Sequence, residues 1–151
     1  MKIGGVEVKP CVEVLVLPRA ESEDIIIRAK SVSINEDFEK LVPEPVAPNV
    51  RTKDGSKPDL KDESYRQQVK ARENKRFAYM VLRSLEDSNI EWEKTDIDRH
   101  ETWNGWDKEL QEAGLSEVET NRIIGAVMVA NSLDESKLVE ARAAFLQGQG
   151  E

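Results

Sequence analysis

Four prolines, Pro43, Pro45, Pro48 and Pro58, punctuate one short stretch of this 151-residue chain. Proline lacks the backbone donor that helices and central strands require, and its ring clashes with the preceding helical turn. No regular element can therefore run from one side of this stretch to the other. From Pro43 to Lys61 the chain also carries Lys53-Asp54-Gly55-Ser56-Lys57, which has no apolar period. Loops of that length are uncommon inside a compact domain, so residues 43–61 read as a linker, a binding arm or a mobile segment, with the linker the plainer reading. The chain divides accordingly into a β-rich region with a short helix (1–42), the proline-rich linker (43–61) and a helical domain (62–148).

Upstream of the prolines the pattern is β. Lys2-Ile3 and Val6-Glu7-Val8 flank Gly4-Gly5, a hairpin signature because glycine reaches positive φ without strain. Val12-Glu13-Val14-Leu15-Val16-Leu17 puts Val12, Val14 and Val16 on one face and Glu13, Leu15 and Leu17 on the other. The second face is mixed, so a helix or a partner chain is expected to cover it only by half. Glu21 to Asp24 make a polar turn, and Ile25 to Val32 form a second long strand rich in β-branched residues. Asn35 to Val42 predict a short helix, with Asn35 as N-cap and Phe38, Leu41 and Val42 turned inward. Strands first and helices later place the chain in the α+β class: a small N-terminal antiparallel β-sheet, a proline-rich connector, and a C-terminal helical module of about four helices.

Downstream, Asp62 to Leu85 predict a long helix. Its first half is polar apart from Tyr65 and Val69, whereas Phe77, Met80, Val81 and Leu85 form a stripe in the second half. One end is thus anchored and the other projects. Lys70, Arg72, Lys75 and Arg76 are a local basic cluster, either a solvated face or a contact for an acidic partner. Ile90 to Glu93 read as a short extended piece. Thr102 is expected to cap a helix through Trp103, Trp106 and Leu110 that ends at Gly114. Ser116 and Glu119 form a capping box ahead of Ile123 to Ala130, a run apolar nearly all round that must be central or part of an interface. Ser132 and Glu135 repeat the box, and the last helix is expected to turn Leu138, Ala141 and Phe145 inward and to stop at Gly148.

Charge and cysteine usage remove several function classes. The formal charge is −8. Affinity for phosphates needs clustered cations, so nucleic acid and anionic membrane surfaces are not expected partners. An acidic surface keeps a chain in solution and can steer a basic partner. Cys11 is the only cysteine, so neither an internal disulfide nor a cysteine-based zinc site can close. It sits in an apolar β-like run, where a small buried hydrophobe is expected. Neither a signal-peptide core nor the ~20 apolar residues of a membrane span occurs, which places the chain in a reducing cytoplasm.

One stretch holds candidate chemistry. Asp96-Ile97-Asp98-Arg99-His100-Glu101 carries the only histidine beside three carboxylates, so a divalent metal is conceivable there. Metal sites draw ligands from separate elements, however, and consecutive side chains on a short loop diverge. The chain has no phosphate-binding glycine loop, dinucleotide turn or nucleophile elbow. The expectation is a protein with no catalytic residue, metal or cofactor. A metal-dependent hydrolase centred on His100 is the enzymatic alternative.

The helical half brings in a family resemblance. Trp103, Glu109-Leu110 with Gly114, Asn121-Arg122-Ile123, Ala130-Asn131-Ser132-Leu133-Asp134-Glu135 and Glu140-Ala141-Arg142 with Phe145-Leu146 form its pattern. Leu17-Pro18-Arg19, Phe38-Glu39-Lys40-Leu41 and Pro43-Glu44-Pro45 extend it across the N-terminal half. The chain resembles the tail assembly chaperones of long-tailed bacteriophages and prophages. That resemblance implies a non-enzymatic morphogenesis protein in the host cytoplasm, binding the tape-measure or tail-tube protein during tail assembly. The surfaces expected to bind are Leu15 and Leu17 on the mixed strand face, Tyr65 and Val69 on the projecting helix, and the face shared by Trp103 and Trp106, for which core packing is the usual fate and interface anchoring the alternative. Alternatives are a minor virion or connector protein, and a phage inhibitor of a host factor whose acidic face imitates nucleic acid. A free β edge and an all-round apolar helix are both compatible with a homo-oligomer.

Overall fold

The protein was analysed as a computed structural model, which describes residues 1–149. Gly4 and Gly5 take φ of +58° and +85° and join β1 (Lys2–Ile3) to β2 (Val6–Glu7) as the glycine pair predicts. β3 (Val12–Leu17) then pairs antiparallel with β4 (Ile25–Lys30), from Val12 opposite Lys30 to Leu17 opposite Ile25. The two hairpins are separate two-stranded sheets, which corrects the expected single N-terminal sheet. Pro10, in the connection between them, cannot donate to a continuing ladder. A third hairpin lies within residues 43–61: β5 (Asn49–Thr52) pairs with β6 (Gly55–Pro58), wholly exposed. Gly55, at φ +110°, takes the positive-φ position of its turn, and Pro58 sits at the strand end where its missing donor costs nothing.

The helices are α1 (Asn35–Leu41), α2 (Glu63–Ser84), α3 (Trp106–Ala113), α4 (Glu117–Ala130) and α5 (Glu135–Gln149), with 3-10 turns at Glu86–Ser88 and His100–Gly105. Small antiparallel sheets and five helices make an α+β fold. α4 packs on β3 and β4, and its buried Ile123, Val127 and Ala130 join Leu17, Ile27 and Ala29 in one core. The apolar run 123–130 is therefore central. Ala78, Tyr79, Val81 and Leu82 anchor the second half of α2, while Phe77 sits at the rim, 37% exposed. Phe38, Tyr79 and Trp103 meet as an aromatic trio. The Tyr79 and Trp103 rings stack at 4.6 Å, and Phe38 lies 6.0 and 6.3 Å from them.

Buried hydrogen bonds set how these parts are joined. The Ser84 hydroxyl, fully buried, donates to the Lys30 carbonyl at 2.6 Å and accepts from the Asn131 carboxamide at 2.8 Å. Asn131 in turn accepts from the Val32 amide at 2.9 Å and donates to the Val127 carbonyl at 2.9 Å. One carboxamide thus ties the end of α4 to α2 and to the chain leaving β4.

Helix ends follow the expected chemistry in part. Gly114, at φ +124°, terminates α3, and Ser116 with Glu119 closes a capping box on α4. Asn35 is not an N-cap: Ile34 holds that position, and the Asn35 side chain accepts a hydrogen bond from Arg76. Leu41 faces outward because only Phe38 and Val42 reach the core. Thr102 does not cap a continuous helix either. Its hydroxyl accepts from the Asp96 amide at 2.8 Å and donates to the Arg99 carbonyl at 2.8 Å, closing the turn before the 3-10 segment. Ser132 adopts φ +58° in the turn after α4, so Asp134 caps α5 instead, accepting from the Ser136 hydroxyl and the Lys137 amide. Helix α5 runs through Gly148 rather than stopping there.

Glu119 carries a second duty. Arg19, between β3 and β4, grips its carboxylate at 2.7 and 3.2 Å, while the Ser116 amide donates to it at 3.0 Å. The Arg19 hydrogen bond first, and the Ser116 amide next, lower the Glu119 pKa to about 2. A carboxylate depressed in the folded state stabilises above its unfolded pKa, near 4.5, and that contribution disappears as pH falls through the folded value. Wild type and Glu119→Gln should accordingly differ in urea midpoint at neutral pH, the wild type being higher. The gap should close between about pH 4.5 and about pH 2.

Candidate protein-binding surface

The two faces of β3 take the opposite roles to those expected. Leu17 is 2% exposed and belongs to the core, and Leu15 is half-buried against it, because α4 covers the Glu13/Leu15/Leu17 face. The all-valine face is in solvent instead: Val12, Val14 and Val16 are 54%, 53% and 48% exposed. Ile26, opposite Val16, and Arg28, opposite Val14, complete that outer face.

The backbone of the same strand is also unpaired. Groups in an antiparallel ladder alternate between pointing at the partner strand and away from it. The Ser31 amide donates to the Cys11 carbonyl, which fixes the phase, so residues 13, 15 and 17 bond toward β4 while 12, 14 and 16 point outward. On β4 three outward groups are capped: the Ser88 hydroxyl bonds both the amide and the carbonyl of Arg28, and Ser84 takes the Lys30 carbonyl, while Ile26 is left open among the described residues. Among the described residues nothing bonds the outward groups of Val12, Val14 and Val16. Two serines close one edge of the hairpin over Arg28 and Lys30, and the other edge is open along its length.

The remaining sequence candidates lie apart from this edge. Trp103 and Trp106 are buried, which corrects their placement on a binding face. The Trp103 indole donates to the carbonyls of Asp96 and Ile97 at 3.0 and 3.1 Å, which gives its N–H partners within the fold. Tyr65 is half-buried in a shallow cleft with Val46, Pro48 and Gln68, and Val69 is at the margin of exposure. Cys11, just ahead of β3, is free and exposed, which corrects the buried position expected for it.

The charged residues singled out from sequence are spent inside the fold. Arg72 donates to the Val42 carbonyl and lies over the Phe38 ring at 4.9 Å. Lys75 lies 2.9 Å from His100 Nδ1, and Arg76 bonds Asn35. Three of the four basic residues therefore brace α2 against its neighbours. They are not simply a solvated face. Asp96 accepts from the Asp98 amide, and Glu101 pairs with Arg99, so these two carboxylates beside His100 turn to their own loop. No three His, Cys, Asp or Glu side chains converge as metal ligands among the described residues. Glu109, named in the sequence only within the family pattern, gathers the amides of Glu93, Lys94 and Thr95 at 2.7 to 3.0 Å. Burial alone would raise its carboxyl, but the amides of Glu93, Thr95 and Lys94 outweigh burial and hold it below the usual range.

Helix α5 is the other surface that sequence reasoning misplaced. Leu138, Ala141 and Phe145 were expected inward, yet Leu138 is 52% and Phe145 62% exposed, and Ala141 is exposed too. Periodicity shows that a helix has an apolar face and is silent on whether anything lies against it.

Among the described residues no helix is long and apolar enough to cross a membrane. Comparison with protein-family profiles, with curated protein sequences and with solved structures gave no match to this chain.

Proposed function

We propose that this protein is a non-enzymatic binding protein that takes up a strand of a client along the open edge of β3. In that role it serves as a tail assembly chaperone for the tape-measure or tail-tube protein of a long-tailed phage. The observation that carries the binding mode is the row of outward backbone groups at Val12, Val14 and Val16 beside three exposed valine side chains. The phage role rests on the sequence resemblance.

Proteins ordinarily blunt an edge of this kind with charges, bulges or covering loops, because it templates pairing with another chain. Here β4 is blunted by Ser84 and Ser88 while β3 is left open and β-branched. A docked strand would satisfy the outward amides and carbonyls, each at a net gain of about 0.5–1.5 kcal/mol, and would cover the valine flanks. Arg28, exposed on the same face and without an ion-pair partner among the described residues, favours a client whose strand or flank carries carboxylates. Holding such a strand until assembly would keep it from pairing with other copies of itself.

Val14→Lys tests the edge directly, since an edge lysine is the ordinary means of preventing strand addition. When the tape-measure or tail-tube protein is co-expressed with this chain, the wild type should keep it in solution. Val14→Lys should lower the client recovered by about tenfold or more, with no change in its own melting temperature. Equal recovery with the variant, or none with the wild type, refutes the reading. Purified virions that retain the chain would make it a structural component instead.

A further inference from the structure

The second unpartnered surface, helix α5, carries an inference that does not depend on client binding. Leu138, Val139, Ala141, Phe145 and Leu146 follow one another at helical spacing over a broad face, and Arg142 lies in the middle of it. None of these side chains is buried, and Arg142 makes no ion pair among the described residues. A helix of 15 residues is marginal in water by itself, so its stability calls for something packed on that face.

A matching groove lies beside the root of the same helix. It has a volume of about 730 Å³ and an apolar floor of Val32, Ile34, Phe77, Met80 and Leu133. Glu36 and Glu73 stand on its wall. Glu73 has no ion-pair partner among the described residues, and Glu36 meets only exposed Lys40, at 3.5 Å. The groove thus offers what α5 lacks: apolar surface for Leu138 and Phe145, and carboxylates for Arg142. The partial exposure of Phe77 at the rim of the core is accounted for in the same way.

The chain's own α5 is held away from this groove. The Leu133 amide donates to the Met128 carbonyl at 2.8 Å, Ser132 sits at φ +58°, and Asn131 is locked to Ser84 and Val32. Folding α5 back would break that turn. A twofold partner needs no such change, because Leu133 lines the groove and α5 starts two residues later, so two helices can cross near the axis into each other's grooves. We infer that the protein is a homodimer in which each copy seats the Leu138/Arg142/Phe145 face of α5 in the partner's groove between α1 and α2, with Arg142 against Glu73 and Glu36.

Sedimentation of the full-length protein at micromolar concentration should give twice the chain mass. Phe145→Glu and Phe77→Glu should each weaken the dimer roughly 100-fold by placing a carboxylate in an apolar contact. Phe145 touches no core, so its variant should keep the melting profile of the wild-type monomer. Arg142→Glu should weaken the dimer, and Glu73→Arg added to it should restore it. Val14→Lys should leave the mass unchanged, which separates this contact from pairing at the β3 edge. A monomeric wild type, a dimer that survives either phenylalanine substitution, or a dimer lost in Val14→Lys overturns the inference.

Discussion

Replacing Trp103 with alanine should remove about 3–5 kcal/mol of folding stability, the range for deleting a fully buried large aromatic. The ring is inaccessible to solvent, stacks on Tyr79 at 4.6 Å and neighbours Phe38 at 6.3 Å. Its indole N–H also holds the carbonyls of Asp96 and Ile97. The alanine variant loses the apolar burial, the stacking and the anchor of the 96–99 turn together. Small domains have only about 5–15 kcal/mol to lose, so the variant should sit at the edge of folding. Trp103→Phe separates the contributions: it keeps a stacked ring and loses the hydrogen bonds, and should cost about 1–3 kcal/mol. Urea unfolding followed by circular dichroism reads both. A loss below about 1 kcal/mol for alanine would mean that the aromatic trio does not organise the core.

Asn131→Ala should have the second largest effect, about 2–4 kcal/mol, although it removes little apolar surface. Asn131 accepts from Val32 and donates to Ser84 and to Val127. Deleting it leaves the Val32 amide without its acceptor and the buried Ser84 hydroxyl with one partner in place of two. Buried groups left unsatisfied cost more than their bonds contributed. Ser84→Ala should cost less, about 1–2 kcal/mol, because Asn131 keeps its other two bonds. A double-mutant cycle should give a combined loss smaller than the sum, since both substitutions break the same Ser84–Asn131 bond. Additive losses would show that the two residues act independently.

The resemblance to tail assembly chaperones and the open edge of β3 are separate supports for the proposed role. The first points to a client, and the second offers a physical way to hold one. Neither draws on His100, whose ring is occupied by Lys75. Dimerisation through α5 would leave both β3 edges free, so a dimer could present two of them.

Sequence alone determined the features that depend on residues a few positions apart. The Gly4-Gly5 turn, the two long strands, the extent of α2, the stop at Gly114 and the Ser116/Glu119 box each need only φ preference, alternation or one local hydrogen bond. Tertiary structure alone decided what covers what. Alternation along β3 separates Val12, Val14 and Val16 from Glu13, Leu15 and Leu17, but only α4, a hundred residues downstream, selects the mixed face for the core. The same distance separates Arg19 from Glu119, 99 positions separate Asn131 from Val32, and 54 separate Ser84 from Lys30. Local rules state that a helix such as α5 has an apolar face, or that Arg72, Lys75 and Arg76 share a surface. Whether such a face is buried, braced or left waiting depends on the free energy of contacts between segments far apart in the chain, which no short window of sequence contains.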